Sequence, residues 1–153
     1  FDAIRMGVRV DKNGRPERDY HTALDVIKAD GSGTDTVVSY RDYLADASFT
    51  VGLESSHKEL LDKIAADLRS PIWPLFLGRK AFPLTVPPVL DRSNPVKPGS
   101  LEKHLLAGES NKRVVLEAPD GERTQHDWPV CFEKRRFKPR TIQTRFTNKG
   151  EPV

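Results

Sequence analysis

Twelve prolines and ten glycines spread through 153 residues constrain this chain more than any other feature. Proline removes a backbone donor and glycine loosens the backbone, so together they cut the chain into short elements joined by turns, with few long helices. The length suits one ordinary domain, or one domain and a small appendage. With 37% hydrophobic and 31% charged residues, a core is possible but lean.

Periodicity then places the elements. Residues 2–10 put Ile4, Met6, Val8 and Val10 on one face and Arg5 and Arg9 on the other, the pattern of a half-buried strand. Lys12-Asn13-Gly14 breaks it, since Asn and Gly tolerate the positive φ of tight turns. Residues 14–35 are polar and glycine-containing, with Leu24, Val26 and Ile27 as a short apolar island; the expectation is a long excursion rather than a plain hairpin loop. Strand character returns over Thr36–Leu44 and over Ala47–Leu53, with Asp46 marking a turn or a bulge between them.

The clearest helix follows. Ser56 and Glu59 have capping-box spacing, Leu60, Leu61, Ile64, Ala65 and Leu68 form a helical stripe, and Pro71 stops it. Residues 71–88 are dense in proline and aromatics, and 91–99 read as a linker. A short helix is expected between a Ser100 cap and Gly108. Residues 112–118 and 123–130 read as a hairpin around Pro119-Asp120-Gly121. The order strand, strand, strand, helix points to an α+β layer with one helix covering an antiparallel sheet.

Charge narrows the partners. The net charge of +3 is a weak argument for a polyanion, but it is unevenly spread. Residues 1–109 carry 15 basic and 16 acidic side chains, a net of −1, whereas residues 110–153 carry 10 and 6, a net of +4. Polyanion binding would draw on the tail and on local clusters. A single cysteine, Cys131, cannot form an internal disulfide and no Cys/His pair has zinc spacing, so a reducing, cytoplasmic compartment is the simplest fit, with no metal and no cofactor. No apolar run approaches a membrane span and no charged-then-apolar leader opens the chain. It begins at Phe1 rather than Met, which suggests a fragment or a processed product.

Three clusters carry possible chemistry. In the first, Lys12, Arg15 and Arg18 accompany Tyr20 and His21; an aromatic beside cations can stack on a splayed base while the cations hold phosphates. An exposed loop with ordinary hydrogen bonds would look the same. In the second, Gly78-Arg79-Lys80, glycine allows close backbone approach to a phosphate beside two cations, although no Walker pattern surrounds it and a solvated turn fits equally. The third is Lys134, Arg135, Arg136, Lys138 and Arg140, with Phe132 and Phe137 interleaved, readable as a strand with one basic side. No nucleophile–base pair or carboxylate pair stands out; Asp42 and Asp46, four apart in strand-like sequence, need not face each other.

Arg18-Asp19-Tyr20-His21-Thr22, then Tyr40-Arg41-Asp42-Tyr43-Leu44-Ala45-Asp46-Ala47-Ser48-Phe49-Thr50-Val51, then Leu77-Gly78-Arg79-Lys80 closely resemble the CasD family, the type I-E Cascade subunit of the RAMP superfamily. The resemblance covers residues 1 to about 90 and only loosely the tail. It implies a ferredoxin-like (RRM-like) RAMP core over residues 1–90, incomplete at its N-terminus, with a thumb insertion at 11–36. The linker at 91–99 and a small basic C-terminal β region at 100–153 would follow. The family's opening segment, with its first strand and a Gly-Pro/Trp-Gly motif, has no counterpart here, so an open sheet edge and an unfinished core are expected.

By the same resemblance the chain would be a non-catalytic subunit holding the 5′ handle of a CRISPR guide RNA. Lys12, Arg15, Arg18, Tyr20, His21, Arg41, Gly78, Arg79, Lys80, Arg135 and Arg136 would be its RNA contacts. The thumb would pack on a backbone subunit and kink the RNA. Backbone and large subunits would complete a hetero-oligomer that meets target DNA only indirectly, and guide processing would belong to another subunit. The alternative is a metal-independent endoribonuclease, as in a sister branch of the superfamily, with His21 as base and Lys12 or Arg18 as the cation. A third reading is a protein-interaction module whose basic residues keep it soluble.

Overall fold

The computed structural model describes residues 3–89, 91–131 and 133–148. Among the described residues the fold is mostly β, with antiparallel pairing and two helices. Its elements are β1 (Arg5–Lys12), β2 (Arg15–Ile27), β3 (Thr34–Ala45), β4 (Ser48–Glu54), α1 (Lys58–Arg69), α2 (Leu101–Leu105), β5 (Arg113–Glu117), β6 (Arg123–Cys131) and β7 (Arg136–Phe146). They divide into two compact units, one of residues 1–9 with 50–153 and one of residues 10–49. Among the described residues no helix is long and apolar enough to cross a membrane.

A five-stranded sheet in the order β4-β1-β5-β7-β6 builds the larger unit. β5 lies antiparallel to β1, with Gly7 opposite Leu116 and Arg9 opposite Val114. The core is small: Leu101 and Leu105 of α2 pack with Val114 and Leu116 of β5, all at most 4% exposed. Two glycines let α2 come this close. A Cβ on Gly7 would lie 2.7 Å from side-chain carbons of Leu105 and Leu116, and one on Gly52 would lie 2.7 Å from Leu101. Ser100 caps α2 as its sequence suggested, its hydroxyl accepting the Lys103 N–H at 3.3 Å.

That packing corrects the reading of β1. Arg5 and Arg9, expected on a solvent face, are partly buried on the side that α2 covers. Arg5 donates to the Glu117 carbonyl at 2.6 Å, to Glu54 at 3.1 Å and to Glu102 of α2. Arg9 donates to the Ala107 carbonyl at 3.0 Å. Gly7 between them offers no side chain, so the helix fills the space and the arginines wrap its flanks.

Three further expectations are corrected. Helix α1 starts one residue later than its capping-box pattern, with His57 at the N-cap and no side-chain cap bond, so Glu59 does not reach back to Ser56. β5 and β6 do not form a hairpin around Pro119-Asp120-Gly121. The turn exists, Gly121 donating to Ala118 at 3.1 Å, but β7 lies between the two strands. Gly121 sits so close to this strand that a Cβ would come within 2.6 Å of the Ile142 backbone. Residues 100–153 are therefore no separate region after a linker, because β5, β6 and β7 supply three strands of the sheet that contains β1 and β4.

The Arg5–Glu102 pair has a pH signature. Arg5's hydrogen bond pulls the Glu102 carboxyl from its ordinary 4.5 down to about 2. A depressed folded-state pKa gives stability that is complete above about 4.5 and lost as pH falls toward 2. Glu102→Gln should lower stability in urea unfolding by about 1–2 kcal/mol at pH 7, toward the low end because Glu54 still holds Arg5. The two proteins should converge near pH 2.

Candidate nucleic-acid interface

Residues 14–35, expected as an irregular excursion, are regular for most of their length. β2 pairs antiparallel with β3 from Arg15 opposite Ala45 to Ile27 opposite Thr34, with an irregularity between Ala23 and Val26. Polar side chains hid this strand because both faces of a two-stranded ribbon meet water and no apolar alternation is required. Gly14 opens the ribbon at φ +74, where a Cβ would lie 2.8 Å from the Ala45 carbonyl. At the tip, the Lys28 N–H donates to the Gly33 carbonyl at 3.0 Å, and Asp30 accepts the Ser32 N–H at 3.0 Å. The smaller unit runs to residue 49, so the boundary expected for a thumb at residue 36 falls inside β3.

The period of two divides the first cluster between faces. Register puts the cross-strand pairs Pro16/Leu44, Arg18/Asp42, Tyr20/Tyr40 and Thr22/Val38 on one side. It puts Arg15/Ala45, Glu17/Tyr43, Asp19/Arg41 and His21/Ser39 on the other. Arg18 and Tyr20 therefore do not act beside Arg15, His21 and Arg41, although they are neighbours in sequence; Lys12 is exposed at the end of β1.

On the first face Arg18 donates to both carboxylate oxygens of Asp42, at 2.6 and 3.3 Å. These bonds raise the Arg18 pKa and hold that of Asp42 below its usual range. Arg18 also lies 5.7 Å from the Tyr40 ring centroid, and Tyr40 meets Tyr20 edge-to-face at 5.5 Å. On the second face Arg15 reaches Asp46 at 3.4 Å, and His21 Nδ1 lies 3.9 Å from Asp19. Asp42 and Asp46, which the sequence did not require to face each other, each face an arginine instead.

Gly78-Arg79-Lys80 forms a tight turn on the larger unit. Leu77 N–H donates to the Phe82 carbonyl at 2.8 Å, Phe82 N–H returns to the Arg79 carbonyl at 2.9 Å, and Phe76 bridges to Pro83. Gly78 has φ +80 and open space around the position of a Cβ, so the conformation, not crowding, calls for glycine. Arg79 folds back with its guanidinium 4.5 Å from the Phe82 centroid, while Lys80 is exposed.

The third cluster is sorted by β7. Arg135, at φ 47, sits in the turn before the strand, and Arg136 opens the strand exposed. Phe132 lies outside the described residues. Arg136, Lys138 and Arg140 alternate along one side of the strand, as the sequence suggested, with Lys138 opposite Trp128. Arg140 is different in kind. Its side chain is only 14% exposed, it grips Asp127 at 2.6 and 2.9 Å, and it lies 5.9 Å from the Trp128 centroid. A groove of about 790 Å³ in this unit is lined by Glu54, Glu117, Trp128, Lys138 and Arg140 among others, and by none of the RNA contacts expected from sequence.

Sequence reasoning missed Tyr40, Asp42, Asp127 and Trp128 as site or site-supporting residues. Their roles depend on register between strands, for which the sequence carries no local signal.

The split between Arg140 and Arg136 is testable by stability alone. Arg140→Ala should cost about 1–3 kcal/mol in denaturant unfolding, because it removes a mostly buried guanidinium together with its charge-assisted bonds to Asp127 and its contact with Trp128. Arg136→Ala should stay within about 0.5 kcal/mol of the parent.

Residues 1–145 match the family model described as CRISPR-associated protein (Cas_Cas5). Over 75 residues the chain is 37% identical to the CRISPR system Cascade subunit CasD of Escherichia coli (strain K12), covering 46% of this chain and 33% of that protein. The match thus spans about a third of that curated relative's length. A chain of a solved CRISPR RNA-guided surveillance complex superposes with a TM-score of 0.75 at 28% identity, covering 95% of this chain and 68% of the other. A solved structure described as a Cas protein gives a TM-score of 0.71 at 30% identity, covering 96% and 68%.

Proposed function

The chain belongs to the CRISPR-associated Cas5 family, and we propose on that premise that it is a non-catalytic RNA-binding subunit of a CRISPR surveillance complex, holding the 5′ handle of the guide RNA. The larger unit acts as the RAMP core and the β2–β3 ribbon as the thumb. Backbone and large subunits complete a cytoplasmic hetero-oligomer, and target DNA is met through the guide rather than by this chain.

What carries the reading is the Gly78–Lys80 turn. It joins a left-handed glycine, which keeps the backbone bare, to an exposed lysine, on a fold shared with a chain of an RNA-guided complex. Such a turn offers a single-stranded phosphate both charge and close approach. Exposed Lys12, Arg41, Arg135 and Arg136 supply further positive charge. Arg79 has a supporting role, since its stacking on Phe82 stiffens the turn that presents Lys80.

The geometry gives no support to cutting. An endoribonuclease needs a base within hydrogen-bond reach of a 2′-hydroxyl and a cation beside the developing charge. His21 and Arg18, two of the three residues considered for those roles, project from opposite faces of the ribbon.

Lys80→Ala should weaken binding of a single-stranded handle RNA and reduce the slope of log K against log salt by about 0.7, the share of one released counterion. Ultraviolet crosslinking of the assembled complex should attach RNA to peptides of this chain. An unchanged salt slope together with no adducts would reject the reading. The parent and His21→Ala should both leave precursor RNA intact, and cleavage by the parent that disappears in His21→Ala would overturn the non-catalytic reading.

A further inference from the structure

The ribbon face that carries Tyr20 and Tyr40 is built differently from a phosphate-binding surface. Tyr20 and Tyr40 are 62% and 65% exposed, and they hold each other edge-to-face at 5.5 Å with an interplanar angle of 67°. Arg18 extends over Tyr40 while its Nε and Nη2 are bound by Asp42, and both of these side chains remain mostly exposed. A long exposed arginine ordinarily samples many rotamers, and fixing one costs side-chain entropy. The two-point grip of Asp42 meets that cost in advance and keeps the guanidinium plane near the tyrosine ring.

The charge of Arg18 is matched by Asp42, so this cluster has little left to offer a phosphate. It offers planar surfaces instead: two phenol rings and one guanidinium, adjacent on one face and open to solvent. Nucleobases stack on both kinds of group. Val38 and Leu44, also on this face and 44% and 52% exposed, would suit a protein surface, but neither needs a pinned arginine.

We propose that Tyr20, Tyr40 and Arg18 form one stacking platform for an unpaired base of the guide RNA, with Asp42 as the positioning residue that orients Arg18. This rests on the RNA-holding function proposed above and adds to it the chemistry recognised: a base face rather than a phosphate. Discrimination among bases should be slight, since every base has a π-face.

The sign of the Asp42 effect separates this from simple electrostatics. Removing a carboxylate beside a polyanion should tighten binding if charge alone matters. If Asp42 positions Arg18, its loss should weaken binding. The test uses the full-length protein, a short single-stranded RNA of mixed sequence, and the same strand carrying abasic residues, with affinities measured across a salt series.

Asp42→Ala should bind the intact RNA about tenfold more weakly with an unchanged salt slope. Asp42→Glu should recover most of the loss, and parent and Asp42→Ala should bind the abasic strand alike. Circular dichroism confirms the fold of each variant, and isosteric Asp42→Asn serves if alanine unfolds the ribbon. Tighter binding by Asp42→Ala, or equal binding of intact and abasic RNA by the parent, would overturn the platform while leaving RNA binding in place. Unaltered RNA affinity with lost capture by partner subunits would also overturn it, making this a protein-docking face. Failure of the parent to bind either strand would defeat the RNA-holding function itself, and the platform with it.

Discussion

How close α2 can approach the sheet decides most of what the larger unit can be. Only five residues long, the helix has little stability of its own, and it is held because Gly7 and Gly52 clear a place for Leu101 and Leu105 above Val114 and Leu116. Arg5 closes the flank by reaching Glu54, Glu102 and the Glu117 carbonyl together. Those contacts join a strand near the start of the chain to a helix and a strand a hundred residues later. The basic residues from Arg136 to Arg145 are consequently ordered in β7 inside the same sheet and are not a loose polycation.

Formal charge is therefore a poor guide to which cations meet a ligand. Arg5, Arg18 and Arg140 are each matched by carboxylates at short range. They serve respectively to lock a helix, to set a side chain against an aromatic ring, and to pack a strand against Trp128. Lys80 and Arg136 stand exposed at a turn and at a strand start, where a flexible phosphate backbone can reach them. A chain with a net charge of only +3 can act on RNA when a few cations are presented well and the rest are neutralised in place.

Local chemistry made part of this legible in advance. β1, β3, β4, α1 and α2 were visible because apolar periodicity, caps and proline stops act over a few residues, and the Gly78 turn was visible because glycine and adjacent cations are themselves the signal. β2 was missed because a strand wet on both sides carries no alternation. The pairing of β5 and β6 was misread because a strong turn signal says where the chain bends, not what inserts beside it; the inserted strand, β7 (Arg136–Phe146), follows β6 in the chain. In the site, Arg18, Tyr20 and His21 were found as types, but their division between two faces, and the pairing of Arg18 with Asp42 and Tyr40, exist only once the register of β2 against β3 is set.

The most direct test of the central claim, that this chain grips one end of a guide RNA, is an electron cryomicroscopy structure of the protein assembled with its natural partners and guide. The account predicts density for the RNA 5′ end against the Gly78–Lys80 turn, with at least one base seated on the Tyr20/Tyr40 face of the ribbon. An RNA 5′ end bound wholly by other subunits, with both elements facing solvent, would contradict it.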